Sequence, residues 1–255
     1  MEALRIEGLC KNFGGLHVLD TLSFSVKPKE HVAIIGPNGA GKTTLLNVLT
    51  GELSATAGRI HLFGQDVTTM PTYRRAHAGL ARSFQITRLF PNLTVLNNIL
   101  LALHGMKPSR FQMFRPATTY DEVLVKAQAL LELVELWEKR NSLQQAISYG
   151  EQRKMEIILS LASEPKLLLL DEPTAGLSID EIPAFTNTIK SLARDTAVLM
   201  AAHDMDVVFD VAERVLVLYF GRIIAEGTPE EIQANPTVKE IYLGTQETTA
   251  NAEVS

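Results

Sequence analysis

The sequence predicts an α/β protein in which a mainly helical lobe is inserted into a sheet-containing core. Short apolar strands alternate with helical stretches in the first and last parts of the chain, whereas the spacing between about residues 87 and 163 is mainly helical. A glycine-rich turn joins the first strand of buried type to a helix. With 255 residues and a hydrophobic content of 46%, the chain can bury a large core.

The N-terminal residues predict two antiparallel strands in a hairpin. Apolar and polar side chains alternate in residues 4–8 and again in residues 22–26, and Gly14 and Gly15 provide a break between these stretches. An apolar run at residues 31–35 follows, which indicates a buried strand.

The turn after residues 31–35 carries a phosphate-binding motif. Residues 36–43 match the pattern G-x-x-x-x-G-K-[ST] between that strand and a helix predicted from Lys42 to about Gly51. Backbone N–H groups of such a loop converge on phosphate oxygens, the lysine adds a positive charge, and the Thr43 hydroxyl is available to Mg²⁺. The sequence therefore predicts a site for ATP or GTP. The residues expected to contact the nucleotide here are Gly36, Pro37, Asn38, Gly39, Ala40, Gly41, Lys42, Thr43 and Thr44.

The middle of the chain predicts a helical subdomain at about residues 87–163, between core segments 1–86 and 164–232. Thr119 and Glu122 have the spacing of a capping box before one of its helices. The apolar residues that recur at helical spacing in that helix are Leu124, Ala127, Leu131 and Val134.

Strand and helix alternation returns after this subdomain. The predicted strands are Leu167–Leu170, Val198–Ala202 and Val215–Leu218, and the first two enclose a helical stretch. A C-terminal extension at residues 233–244 and a flexible polar tail at residues 245–255 complete the expected single domain.

Two acidic residues directly follow the strand at residues 167–170. Asp171 is expected at the carboxyl edge of the sheet beside the phosphate loop, where it holds Mg²⁺ through water. Glu172 points elsewhere and is expected to act as a general base toward the attacking water, a contribution of ~10²–10⁴ in rate. The alternative is that the two acids only end a strand at the protein surface.

The composition of the chain argues against several classes of protein. The net charge of −5 is spread over scattered lysines and arginines, which argues against a general nucleic-acid surface. The single cysteine, Cys10, cannot form an internal disulfide. We expect neither a membrane span nor secretion, because the longest aliphatic run is short and the N-terminus has no apolar signal core. Any membrane association is then expected through protein partners.

Residues 147–152, Ile-Ser-Tyr-Gly-Glu-Gln, resemble the Leu-Ser-Gly-Gly-Gln signature of ABC ATPases, and they precede a helix upstream of Asp171 as in that family. The resemblance extends over residues 1–244 and implies a P-loop NTPase core of the RecA-like type. It also implies that Gln85 senses Mg²⁺ and the water, that His203 is the switch histidine, and that Phe13 stacks on adenine. The alternatives are a solvated glutamine, a strand-end histidine and a phenylalanine packed in the hairpin core.

In this family the signature helix contacts the nucleotide of an opposing subunit, so ATP joins two cassettes head to tail. The residues to which the resemblance assigns that contact are Ser148, Gly150 and Glu151, with a plain helix N-cap at Ser148 as the alternative. Residues 175–178 resemble the loop that communicates across the dimer. The chain departs from the common pattern at Tyr149, Glu151 and Ser178.

A narrower resemblance is to the cassettes of branched-chain amino-acid uptake systems, and it lies in residues 79–85, 88–90, 93–95 and 241–244. Asn97 departs from the glutamate that is usual in those cassettes. Such a system implies a second ABC ATPase subunit, the same or homologous, two transmembrane permeases and an extracytoplasmic substrate-binding protein. The chain would then lie at the cytoplasmic face of the inner membrane. The resemblance leaves other cargoes open, namely urea, amides or exported lipid.

Two other classes of function compete with a transporter subunit. A soluble ABC ATPase of DNA repair or translation is disfavoured, because the chain has neither sustained heptads nor a fused second cassette. A small-molecule kinase with a phosphate loop would leave the signature segment and His203 unexplained.

Overall fold

The computed structural model describes residues 1–83, 89–105 and 121–242. The strands in these residues are β1 (Leu4–Phe13), β2 (Leu16–Val26), β3 (His31–Ile35), β4 (Ala57–Leu62), β5 (Gln65–Asp66), β6 (Leu80–Arg82), β7 (Leu167–Asp171), β8 (Ala197–Ala201), β9 (Arg214–Tyr219) and β10 (Arg222–Gly227). The helices are α1 (Lys42–Thr50), α2 (Thr72–His77), α3 (Val95–Gly105), α4 (Asp121–Leu133), α5 (Tyr149–Leu161), α6 (Glu181–Leu192), α7 (Met205–Val211) and α8 (Pro229–Ala234), and residues 236–242 are also helical.

The N-terminal hairpin belongs to an antiparallel sheet of order β2-β1-β4-β5. β1 pairs with β2 from Leu4 opposite Val26 to Phe13 opposite Leu16, which confirms the predicted hairpin. Alternation explains the pairing, because Leu4 and Ile6 are buried whereas Arg5 between them is exposed. The other neighbour of β1, β4, was not predicted from the sequence.

The central sheet has the order β10-β9-β3-β8-β7-β6, with β10 antiparallel to β9 and the other pairs parallel. Helices and the antiparallel sheet cover both of its faces, so its interior strands are continuous apolar runs. In β7, Leu167 and Leu169 pack into the cluster that contains β1, β2 and α1. Leu168 and Leu170 pack on the other face, against α5, α6 and α7.

The predicted helical subdomain contains a third apolar cluster, formed by α3, α4 and α5. Of the apolar residues at helical spacing, Ala127, Leu131 and Val134 are buried in it, whereas Leu124 is half-buried. Val123 is buried with them, since residues 123, 127 and 131 are four apart and share one helix face. The capping residue Thr119 lies outside the described residues, and the domain boundaries stay a prediction.

Candidate functional site

The phosphate loop connects β3 to α1 and has the backbone that its glycines permit. A side chain at Gly36 would place its Cβ 2.1 Å from the carbonyl oxygen of Leu218 in β9. Gly41 has a φ of +108°, and a Cβ there would lie 2.9 Å from the Val18 carbonyl oxygen. The loop therefore fits tightly between β9 and β2 only with glycine at these positions.

Lys42 begins α1 and is buried inside this loop. Its Nζ donates hydrogen bonds to the carbonyl oxygens of Gly36, at 2.6 Å, and Pro37, at 3.1 Å. Burial lowers the pKa of Lys42, although the carboxylates of Glu172 and Asp171 act in the opposite direction. The ammonium group is thus close enough to the predicted base, Glu172, and to the predicted magnesium carboxylate, Asp171, to interact electrostatically with both.

A cavity of about 320 Å³ lies over the loop. It is lined by Val18, residues 38–44 and Glu172, so it brings together the predicted base and the predicted loop contacts other than Gly36 and Pro37. Thr43 is exposed and Thr44 is half-buried at this surface. The cavity has the position and the lining that a triphosphate requires.

Asp171 is the last residue of β7 and is almost fully buried. Its Oδ2 accepts a hydrogen bond from Arg82 Nη2 at 2.9 Å, whereas Oδ1 is buried without a hydrogen-bond partner among the described residues. Burial raises the pKa of Asp171, and the Arg82 guanidinium offsets only part of that rise. A buried carboxylate oxygen that lacks a donor fits a hydrated divalent cation.

Glu172 and His203 follow neighbouring parallel strands and meet at the sheet edge. Glu172 Oε1 lies 3.6 Å from His203 Nδ1. The Glu172 N–H donates to the carbonyl oxygen of Ala201, the last residue of β8, at 2.8 Å. Glu172 has a φ of +46°, a left-handed conformation that is uncommon for glutamate. The structure therefore brings the predicted base and the predicted switch histidine into contact.

The signature segment forms the N-terminus of α5. Ser148 is the N-cap and its hydroxyl accepts from the Glu151 N–H, while the Glu151 carboxylate accepts from the Ser148 N–H. This capping box gives Ser148 and Glu151 a local structural role that is compatible with anion binding at the helix end. Lys139 also forms an ion pair with Glu151.

The other signature residues contact the loop after β7. The Tyr149 hydroxyl donates to the Ala175 carbonyl oxygen at 3.1 Å, and a Cβ at Gly176 would lie 2.8 Å from the Tyr149 ring. A Cβ at Gly150 would lie 2.6 Å from the Glu181 carboxylate. Glu181 also accepts hydrogen bonds from Ser178. Tyr149 and Ser178, two departures from the family pattern, therefore both lie where the start of α5 meets residues 175–181.

One predicted residue, Phe13, stands apart from these contacts. Phe13 ends β1 with 47% of its surface exposed and Lys11 Nζ 4.8 Å from its ring centroid, so it does not pack in the hairpin core. Gln85 lies outside the described residues, which end at 83 and resume at 89.

Sequence reasoning missed Arg82 and Tyr242 as neighbours of the site. Arg82 contacts Asp171. Tyr242 lies near the Gly36 backbone, but its buried hydroxyl has no hydrogen-bond partner among the described residues. Burial raises the pKa of Tyr242 to about 12. No sequence pattern signals either contact, because each depends on which strands and loops are neighbours in space.

A phosphate loop, two acids and a histidine at the edge of a parallel sheet, together with a capped signature helix, define an ATP-binding cassette. The ABC transporter family matches residues 19–175, and the chain belongs to this family. A second family, described as branched-chain amino acid ATP-binding cassette transporter, matches residues 222–248.

The chain is similar over its length to several characterised proteins. It is 38% identical over 250 residues to the high-affinity branched-chain amino acid transport ATP-binding protein LivG of Escherichia coli K12, covering 94% of this chain and 97% of LivG. It is 37% identical over 249 residues to BraF of Pseudomonas aeruginosa, with the same coverage. The lipopolysaccharide export system ATP-binding protein LptB of Haemophilus influenzae is 35% identical, covering 96% of this chain and 99% of LptB.

Among solved structures, the ADP conformation of MJ1267, an ATP-binding cassette of an ABC transporter, superposes with a TM-score of 0.84. It is 32% identical and covers 96% of this chain and 99% of that chain. The predicted fold class and the resemblance to ABC transporter ATP-binding subunits of the branched-chain amino-acid type are thereby confirmed. The chain is an ATP-binding subunit of an ABC transporter and an ATPase, close to the branched-chain amino-acid type.

Within the described residues, no helix has the length and apolar character needed to cross a membrane.

Proposed function

We propose that this subunit hydrolyses MgATP to drive the uptake of branched-chain or other small amino acids. The contact between Glu172 and His203, beside Lys42 and Asp171, supports the catalytic part of this proposal. The similarity to LivG and BraF, together with the family match at residues 222–248, supports the amino-acid cargo. The similarity to LptB keeps lipid export as the second candidate.

The proposed Mg²⁺ site consists of Asp171, Thr43 and Gln85. In the residues that the structure describes, no group of three or more histidine, cysteine, aspartate or glutamate side chains could hold a metal. Mg²⁺ is typically bound through one or two carboxylates together with water and substrate phosphates, and Asp171 is the proposed carboxylate here. When bound, Mg²⁺ neutralises charge on the phosphate oxygens.

In the proposed reaction, Glu172 accepts the proton of the attacking water and His203 holds Glu172 in position. The 3.6 Å separation of Glu172 Oε1 and His203 Nδ1 allows this pairing. Lys42, the loop N–H groups and the N-terminus of α1 bind the phosphates. Phe13 supplies the exposed ring on which adenine stacks, a contact worth ~1–3 kcal/mol.

Two subunits are required in this proposal because the signature helix serves the nucleotide of the opposing copy. Ser148, Gly150 and Glu151 lie at the N-terminus of α5, a helix of 13 residues whose dipole favours anions. Closure of the two cassettes, which are the same or homologous chains, over both nucleotides would move two permeases at the cytoplasmic face of the inner membrane. An extracytoplasmic binding protein would deliver the cargo.

The test uses a tagged Glu172→Gln protein isolated with MgATP from detergent-solubilised membranes of its source cells. We expect hydrophobic permease chains to be recovered with it and identified by mass spectrometry. The matched control is Lys42→Ala, which weakens nucleotide binding and therefore recovers less of any second cassette. Recovery of only ribosomal or DNA-repair proteins would contradict a transporter role.

The cargo is tested by transport. Cells that lack this chain should lose uptake of labelled leucine and regain it with the wild-type gene but not with Glu172→Gln. Unchanged leucine uptake together with loss of urea or amide uptake, or with accumulation of an exported lipid, would reject the amino-acid cargo.

A further inference from the structure

Arg82 is a buried arginine at the end of β6, directly beside β7 in the central sheet. Its side chain is only 8% exposed. One terminal nitrogen, Nη2, donates to Asp171 Oδ2 at 2.9 Å. The other, Nη1, donates to the Asn47 side-chain oxygen in α1 at 2.6 Å and lies 3.4 Å from Glu52 Oε2.

A single planar guanidinium therefore connects β7 to the helix that follows the phosphate loop. Arginine suits this position because its donors form a rigid fork, whereas lysine offers one flexible point charge. The fork fixes the direction of the Asp171 carboxylate relative to α1, which also carries Lys42 and Thr43.

We propose that Arg82 is a positioning residue for magnesium binding. By holding Asp171 Oδ2, Arg82 leaves Oδ1, the oxygen without a partner among the described residues, for the hydrated Mg²⁺. The inference rests on the proposed role of Asp171. Partners that orient a metal-binding carboxylate typically change metal affinity by about 10–100-fold when they are removed.

A second buried arginine provides a control that distinguishes this role from a merely structural one. Arg75 also holds α1, but the partners that the structure describes for it are backbone carbonyl oxygens, those of Val48, Leu49, Thr68 and Met70. Loss of Arg75 should therefore weaken the fold around α1 without affecting the orientation of Asp171.

The experiment measures binding of a fluorescent ATP analogue across a Mg²⁺ titration and in EDTA, in the non-hydrolysing Glu172→Gln protein. We expect Arg82→Gln to raise the Mg²⁺ concentration at half-maximal binding by about 10–100-fold, with a much smaller change in EDTA. Arg82→Lys should also raise that midpoint, toward the lower end of the range, because it keeps the charge but cannot bridge Asn47 and Asp171. Arg75→Gln should lower the melting temperature and leave the midpoint unchanged.

An unchanged midpoint in Arg82→Gln would overturn the inference, as would a lower midpoint, since Arg82 would then compete with the metal. If Arg82→Gln does not fold, an unchanged or lower Mg²⁺ midpoint in Arg82→Lys would overturn the inference. Asp171→Asn distinguishes a wrong metal site from a wrong role for Arg82. If it leaves the Mg²⁺ dependence unchanged, the proposed metal site is wrong, whereas an effect in Asp171→Asn alone rejects only the role of Arg82.

Discussion

Glu172 combines a proposed catalytic role with an unfavourable backbone conformation. Its φ of +46° lies in the left-handed region, which costs an ordinary residue about 1–2 kcal/mol. The hydrogen bond from its N–H to Ala201 holds the residue there. Strain of this kind is often found at functional sites, where the surrounding structure maintains it.

The strain predicts a difference in stability between two variants that both lack the carboxylate. Glu172→Asn should be more stable than Glu172→Gln by about 1 kcal/mol, because asparagine adopts the left-handed conformation more readily. Neither variant should hydrolyse ATP. Denaturant unfolding without nucleotide measures the difference, and a more stable glutamine variant would contradict the explanation.

Gly36 lies where the backbone of β9 leaves no room for a side chain. A methyl group there would lie 2.1 Å from the Leu218 carbonyl oxygen, so Gly36→Ala must displace the loop or β9. We expect nucleotide affinity to fall by more than about tenfold, since displacement of the loop by even 1 Å misaligns its N–H groups. Gly15→Ala is the control, because a Cβ at Gly15 meets no atom within 4 Å. Calorimetric titration with ADP measures both.

At the scale of elements, α5 and the loop after β7 form one packed unit. The Tyr149 ring covers Gly176, which has a φ of +81°, and its hydroxyl binds Ala175. Arg153 lies over the same ring, with its Cζ 5.1 Å from the ring centroid. The tyrosine that replaces the usual glycine of the signature thus gives this chain a contact that a glycine could not make.

Tyr149→Phe removes only the hydroxyl and should loosen the loop by about 0.5–1 kcal/mol. Hydrogen exchange at residues 175–178 should become several-fold faster, and faster again in Tyr149→Gly, which also removes the ring. Tyr73→Phe is the control, since Tyr73 is an exposed tyrosine remote in sequence from both segments. Equal protection in Tyr149→Phe and the wild type would show that the hydroxyl does not hold the loop.

The sequence predicts at which element each site residue lies. It does not predict which elements are neighbours in space. The phosphate loop, Asp171 and His203 each follow an apolar run, so their places at strand ends could be expected. The contact of Arg82 with Asp171 could not, because β6 and β7 are adjacent in the sheet but distant in the chain. β6 is also only three residues long, too short to show a periodic pattern.

At the scale of the whole molecule, Arg214 joins the two sheets. It lies on β9 and binds Glu30 through Nε and Nη2, the Ser25 carbonyl oxygen of β2 through Nη2, and Glu226 of β10 through Nη1. Burial raises the pKa of Glu30, but the hydrogen bonds from Arg214 and from the Lys27 N–H outweigh it, so the pKa is lowered below its ordinary value.

A lowered pKa makes Glu30 stabilise the fold above its ordinary pKa of 4.5, and this contribution is lost as the pH falls through the lower folded-state value. We expect Arg214→Gln to cost about 3 kcal/mol at neutral pH and to flatten the loss of stability below pH 4.5. Melting temperatures measured from pH 3 to pH 8 test this prediction. Lys29→Gln, which removes an exposed ion pair with Asp195, should shift them little.

The pairing of β6 with β7 encloses the whole stretch between Arg82 and Leu167 as one long loop of the central sheet. Loop-closure entropy grows only with the logarithm of loop length, so extending a loop from ten residues to eighty costs about 2 kcal/mol. Once that cost is met, further lengthening or shortening of the enclosed segment changes it by only tenths of a kcal/mol. The enclosed segment can therefore be resized or exchanged at little entropic cost while the residues at the sheet edge keep their positions.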